Sequence, residues 1–189
     1  MILDHQKILL QIAKESIAHG LAASLPLPVD LKTLPQELSE TRATFITLFM
    51  GENLRGCIGT LNAYQPLAQD VSEHAFAAAF RDPRFPPVTE KEKTELKIKI
   101  SLLNPSEPMI FHSEEDLLNQ LRPGIDGVVL AWGQHRGTFL PSVWDDVPDK
   151  KEFLAHLKIK ARLAPDFWSD QIKAWRYTTE TWGEDETSV

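Results

Sequence analysis

Between Leu96 and Leu102 apolar and polar residues alternate without a break. Leu96, Ile98, Ile100 and Leu102 fall on one side, and Lys97, Lys99 and Ser101 on the other. A period of two is the spacing at which side chains of a β-strand point to opposite faces. The segment predicts a strand with one buried and one wet face, so the rest of the chain must supply a cover for one side of a sheet. Residues 5–22 read as an amphipathic helix, with Leu9, Ile12, Ala13 and Ile17 at helical spacing and Gly20 suited to its end. Pro26, Pro28 and Pro35 make 24–40 mostly loop. Residues 43–50 read as a strand, Gly51-Glu52-Asn53 as a turn, and 54–61 as the returning hairpin partner. Pro66 opens a helix that runs to about Phe80.

Three prolines exclude regular structure from 81–88. Thr89 and Glu92 make a capping-box signature for a short helix over 90–95. Ser113 caps a helix near 114–121, and Pro123-Gly124 ends it. Strand 126–132, a turn over 133–137 and strand 138–141 come next, then a helix at about 150–163 and a last strand over 171–182. Gly183 to Val189 read as a frayed acidic tail. Neighbouring strands joined by tight turns pair antiparallel. The predicted class is α+β, a mainly antiparallel sheet flanked by helices, rather than a parallel doubly wound sheet.

Composition narrows the function. The 189 residues carry 20 Lys and Arg against 27 Asp and Glu, a net charge of −7, which argues against a dedicated nucleic-acid binder. No apolar run approaches the roughly 20 residues that span a bilayer, so no membrane partner is expected. The first residues, Met1 to Lys7, lack the layout of a signal peptide, and one cysteine excludes an internal disulfide; the expectation is a cytoplasmic protein. The six histidines show no H-x-H or H-E-x-x-H spacing, and no phosphate loop, dinucleotide fingerprint or nucleophile elbow is present, so neither metal nor cofactor is expected. His74, on the apolar side of its helix, reads as a satisfied core histidine.

Three segments could carry chemistry. In Arg55-Gly56-Cys57-Ile58-Gly59 an extended backbone would put Arg55 and Cys57 on one face, where the guanidinium would favour a thiolate. Gly56 and Gly59 would bare backbone N–H groups suited to an anion. A free cysteine also commonly packs as a small hydrophobe. In Arg81-Asp82-Pro83-Arg84-Phe85 the arginines offer planar forks for carboxylate or phosphate, unless Asp82 pairs with one of them and only fixes the loop. In His135-Arg136-Gly137-Thr138, His135 could titrate near neutrality, although a turn histidine is ordinarily solvated.

Taken in series, Leu54–Thr60, Asp82–Pro87 and Gly137–Val143 resemble the AMMECR family over about residues 5–182. The chain departs from that pattern at Gly137, where other members can carry a polar residue. The resemblance implies an α+β fold with a larger and a smaller subdomain and a cleft near the first motif. It implies the protein A role of a system with Memo-like and radical-SAM proteins. It raises Arg55, Cys57, Arg84 and Phe85 as lining a functional cleft, and the expected ligand-binding cleft comprises Arg55, Gly56, Gly59, Asp82, Arg84, Phe85 and Thr138. Three functions compete. The first is an accessory or binding component. The second is a thiol-dependent enzyme with Cys57 as nucleophile, His135 as base and a small anionic substrate held by Arg84. The third is nucleic-acid binding through Arg55, Arg81 and Arg84.

Overall fold

A computed structural model describes residues 1–184. Its elements in chain order are α1 (Leu3–Ala23), β1 (Ala43–Met50), β2 (Asn53–Gly59), α2 (Leu67–Phe80), β3 (Leu96–Leu103), β4 (Glu107–Pro108), α3 (Glu114–Gln120), β5 (Gly127–Trp132), β6 (His135–Phe139), α4 (Val143–Asp146), α5 (Lys150–Lys160), β7 (Lys173–Tyr177) and β8 (Thr179–Gly183). The α+β class and the antiparallel pairing match the expectation from sequence. The chain forms two compact units, Met1–Leu103 rejoined from Glu180, and Asn104–Thr179.

In the first unit the sheet order is β2-β1-β3-β8, and β1 runs antiparallel to both β2 and β3. The alternation over Leu96–Leu102 holds: Leu96, Ile98, Ile100 and Leu102 are buried while Lys97 and Lys99 are exposed. These side chains join Ile46 and Leu48 of β1 in a core shared with Leu9, Ile12, Ala13 and Ile17 of α1 and Val71 and Ala75 of α2. One face of the sheet is thus covered by two helices. Gly20 does not end α1. A Cβ there would lie 2.4 Å from the Phe80 ring and 2.7 Å from that of Phe76, so the glycine marks where α1 meets α2. The helix stops at Ser24, in the left-handed conformation (φ 58°), whose N–H donates to Gly20 O. The loop over 24–40 holds two short 3-10 turns, Leu31–Thr33 and Gln36–Ser39, the second carrying the fully buried Leu38.

The helix expected over 90–95 is a run of turns. Glu92 does reach back to the N–H and hydroxyl of Thr89, at 2.8 Å each, but its carboxylate is shared with Arg55, and β3 begins at Leu96 before a helical turn can extend.

The second unit has sheet order β4-β7-β5-β6. Ser113 caps α3 through Asp116 N–H at 3.1 Å, as its position predicts. Leu117, Leu130, Phe153 and Leu157 centre the core, and the Trp144 and Phe153 rings stack at 3.6 Å. Two expectations need correction. The turn after β5 is Gly133-Gln134, with Gly133 at φ +57°, so His135 and Arg136 belong to β6. The single strand expected over 171–182 is two strands that break at Thr178 and enter different sheets. Gly183 closes β8; residues 185–189 of the expected tail lie outside the described part.

Candidate functional site

A β-bulge decides where Cys57 points. After the turn at Gly51-Glu52, Met50 pairs with Asn53 and Phe49 with Leu54. Continued unbroken, that register would set Arg55 against Leu48 and Cys57 against Ile46, on the core face. Instead the register shifts between Leu48 and Phe49: Gly56 pairs with Leu48 and Cys57 with Thr47. Arg55 is the extra residue. A slip of one residue exchanges the two faces of a strand. The bulge therefore turns Gly56 toward the helices and brings Cys57 to the open face, half-buried, its Sγ 3.4 Å from the Thr47 hydroxyl. Sequence reading missed Thr47, because its placement depends on that one inserted residue.

Arg55 does not serve the thiol. Its Nε and Nη2 donate to the Glu92 carboxylate at 2.8 and 3.3 Å, and this pair ties the bulge to the turn before β3. Local pattern does not single out Glu92 either; its capping-box signature points to Thr89 alone. The guanidinium at Cys57 belongs to Arg84, whose Nη2 donates to the Cys57 carbonyl at 3.3 Å. The buried Asp82 carboxylate accepts from the Cys57 N–H at 2.9 Å. It also accepts from Arg84 Nη2 at 2.7 Å, Arg84 Nε at 3.0 Å and the Arg84 N–H at 3.1 Å. Since β2 is an edge strand, Asp82 and Arg84 together take the place of the missing neighbour at Cys57 and block its backbone to other strands. The Arg84 guanidinium also lies 5.4 Å from the Phe85 ring centre, a cation–π contact next to the clip.

The two glycines have a packing reason. A Cβ on Gly56 would sit 2.2 Å from the Ala78 carbonyl oxygen of α2, and one on Gly59 would sit 2.3 Å from Thr44 O and 2.6 Å from Phe45 Cα. The anion expected at this backbone is supplied by the chain itself, as Asp82 on the Cys57 N–H. His135 and Thr138 belong to the second unit. His135 Nδ1 lies 3.2 Å from Ala161 O and its ring stacks on Trp132. Thr138 donates to Val128 O at 3.0 Å and lies 3.1 Å from the Tyr177 hydroxyl. Gly137 leaves room for the Ala161 backbone, since a Cβ would come within 2.8 Å of its nitrogen. Among the described residues no group of three His, Cys, Asp or Glu is placed to hold a metal ion, and no helix is long and apolar enough to cross a membrane.

The clip is electrostatically tuned. Hydrogen bonding from Arg84, with the Cys57 N–H adding to it, holds the Asp82 carboxyl well below the usual carboxylate range. Hydrogen bonding from Arg55 and the Thr89 N–H holds Glu92 at about 2. Both folded-state values lie below those of the unfolded chain, near 4. The stability they confer is full above that pH and is lost as pH falls through the folded values. Chemical denaturation should therefore show stability dropping as pH falls from about 5 toward 2, with a flatter profile in the Asp82→Asn, Glu92→Gln double variant. Asp82→Ala at neutral pH should cost about 2 kcal/mol, because it orphans the Cys57 N–H, while the half-exposed Arg84 can turn to water. A double variant with an unchanged pH slope would contradict this account.

Comparison with known proteins agrees with the fold. The AMMECR1 family model matches residues 10–182. A protein from Methanothermobacter thermautotrophicus is 37% identical over 186 residues, covering 96% of this chain and 95% of its own. One from Thermotoga maritima is 38% identical over 152 residues, covering 79% and 82%. The crystal structure of an uncharacterised protein from Pyrococcus horikoshii superposes with a TM-score of 0.85 at 32% identity, over 95% of this chain and 91% of that one. The bulged Arg55–Gly59 strand and its Asp82–Arg84 clip lie inside the matched region, and with identity of this extent along nearly the whole length the chain belongs to the AMMECR1 family.

Proposed function

We propose that the chain is a non-catalytic binding component. Its docking surface is the open face at Cys57 and Thr47, rimmed by Arg84 and Phe85, with Arg55, Gly56, Gly59 and Asp82 shaping it from behind. The observation that carries this reading is what surrounds Cys57. Its N–H and carbonyl are both engaged by the clip, and its thiol meets a hydroxyl, not a base. A catalytic cysteine needs a base positioned to take its proton. A stiffened edge with a projecting guanidinium and ring suits recognition instead. The family resemblance points to Memo-like and radical-SAM proteins as what docks there, and a lone free thiol accords with a reducing, cytoplasmic setting.

Size-exclusion and titration calorimetry with the Memo-like and radical-SAM proteins of the same genome test this reading. The expected result is a stoichiometric complex with one of them. Arg84→Glu and Phe85→Ala should each weaken it about tenfold or more, with melting curves retained. No complex with either, or undiminished binding by both variants, overturns the reading. Thiol chemistry is the second reading, favoured by the Arg84 guanidinium at Cys57. Iodoacetamide labelling at neutral pH separates the two: a rate like that of a cysteine-containing peptide supports docking, and a far faster one supports an activated thiol.

A further inference from the structure

The second unit holds a polar cavity of about 480 Å³ that has no part in the surface described above. Arg122, Arg176, Glu107, Asn104, Thr178 and Tyr177 line it. Strand register sets Arg176 of β7 directly against Glu107 of β4. Arg176 is half-buried, and its guanidinium makes no hydrogen bond or ion pair with any described residue. Guanidinium donors that no protein group engages are open to an anionic partner. Arg122 is the opposite case. The fully buried Asp126 carboxylate accepts from Arg122 Nε at 3.0 Å and Nη2 at 2.6 Å, which fixes the fork while half of the side chain stays open. Hydrogen bonds also hold other residues of the lining. Asn104 Nδ2 donates to Thr178 Oγ1 at 2.8 Å, and the buried Tyr177 hydroxyl donates to Phe139 O at 3.1 Å.

We propose that this cavity binds a small zwitterion of amino-acid type, its carboxylate on Arg176 and its ammonium on Glu107. The charge pattern selects this class. Asp126 already balances Arg122, so Arg176 is the cation left for a ligand anion. Glu107, facing Arg176 in the register, repels a second negative charge and attracts a positive one. A guanidinium accepts a planar carboxylate through two parallel donors. The volume falls within the range of small-molecule sites. The proposal is independent of the docking surface in the other unit.

Thermal shift and titration calorimetry with the twenty L-amino acids, acetate and methylamine at millimolar concentration test it. The expected result is that at least one amino acid raises the melting temperature and binds more tightly than acetate or methylamine. Arg176→Gln and Glu107→Gln should each weaken that binding about tenfold. Arg176 has no side-chain partner to lose, so Arg176→Gln should fold as the parent does. Arginine Nε–Hε signals in ¹H–¹⁵N spectra should locate the ligand at Arg176. Binding by none of the amino acids, or binding unchanged in Arg176→Gln, overturns the proposal.

Discussion

Gly56→Ala is expected to destabilise the protein by more than about 3 kcal/mol, at or beyond the upper end of overpacking costs. The obstacle is a backbone atom. The new Cβ would sit 2.2 Å from the Ala78 carbonyl oxygen and 3.1 Å from its carbon, where no side chain can rotate away. Relief requires moving α2 off β2, which opens the core that α2 shares with β1 through Val71, Ala75 and Leu48. Gly51→Ala is the control. Gly51 adopts φ +59° and a Cβ there meets nothing, so its cost is the roughly 1 kcal/mol of a left-handed alanine. Urea denaturation of the two variants measures the difference. If Gly56 were present to bare its N–H to a ligand, alanine would leave stability unchanged and remove binding. A Gly56→Ala midpoint close to the parent's would therefore reject the packing account and restore the ligand one.

What the chain shows in advance and what it hides divide along contact distance. The alternation over Leu96–Leu102 needs only its own residues, and so does the Ser113 cap; both are legible from local pattern. The proline-rich segment 81–88 is legible as irregular for the same reason. Gly56 is not. Its meaning depends on Ala78, which only packing brings near. The bulge at Arg55 is hidden too, because a strand with or without it has the same composition, yet it decides whether Cys57 faces the core or the open side. The Arg55–Glu92 pair joins two segments that local pattern assigns separately, one to a strand and one to a helix that does not form. Residues 171–182 read as one strand because β-branched and aromatic residues run through them with no Gly or Pro to mark a stop; the break at Thr178 follows from sheet membership, which no local period encodes.

The same distinction sets the second large effect. Asp70 stands in the first turn of α2, where sequence gives it only the ordinary role of an acidic residue near a helix N-terminus. The fold gives it more. Fully buried, its carboxylate accepts from the Thr44 N–H at 2.9 Å, the Thr44 hydroxyl at 2.6 Å and Gln65 Nε2 at 3.2 Å, and it lies 3.0 Å from His74 Nδ1. His74 is thus a satisfied buried histidine, as its helical position predicts, and Asp70 is what satisfies it. The carboxylate pins α2 to the start of β1. Asp70→Ala should cost about 3–5 kcal/mol, because it strands the buried Thr44 N–H and leaves His74 without its partner. Asp70→Asn should fall between alanine and the parent. Its amide oxygen can still accept from Thr44, but its NH₂ faces the Gln65 donor. Replacing Thr44 by Val removes one of the donors, so the Thr44→Val, Asp70→Ala double variant should lose less than the sum of the two single ones. Additive losses in that cycle would mean that Asp70 acts through α2 alone, and the pin between helix and strand would have to be abandoned.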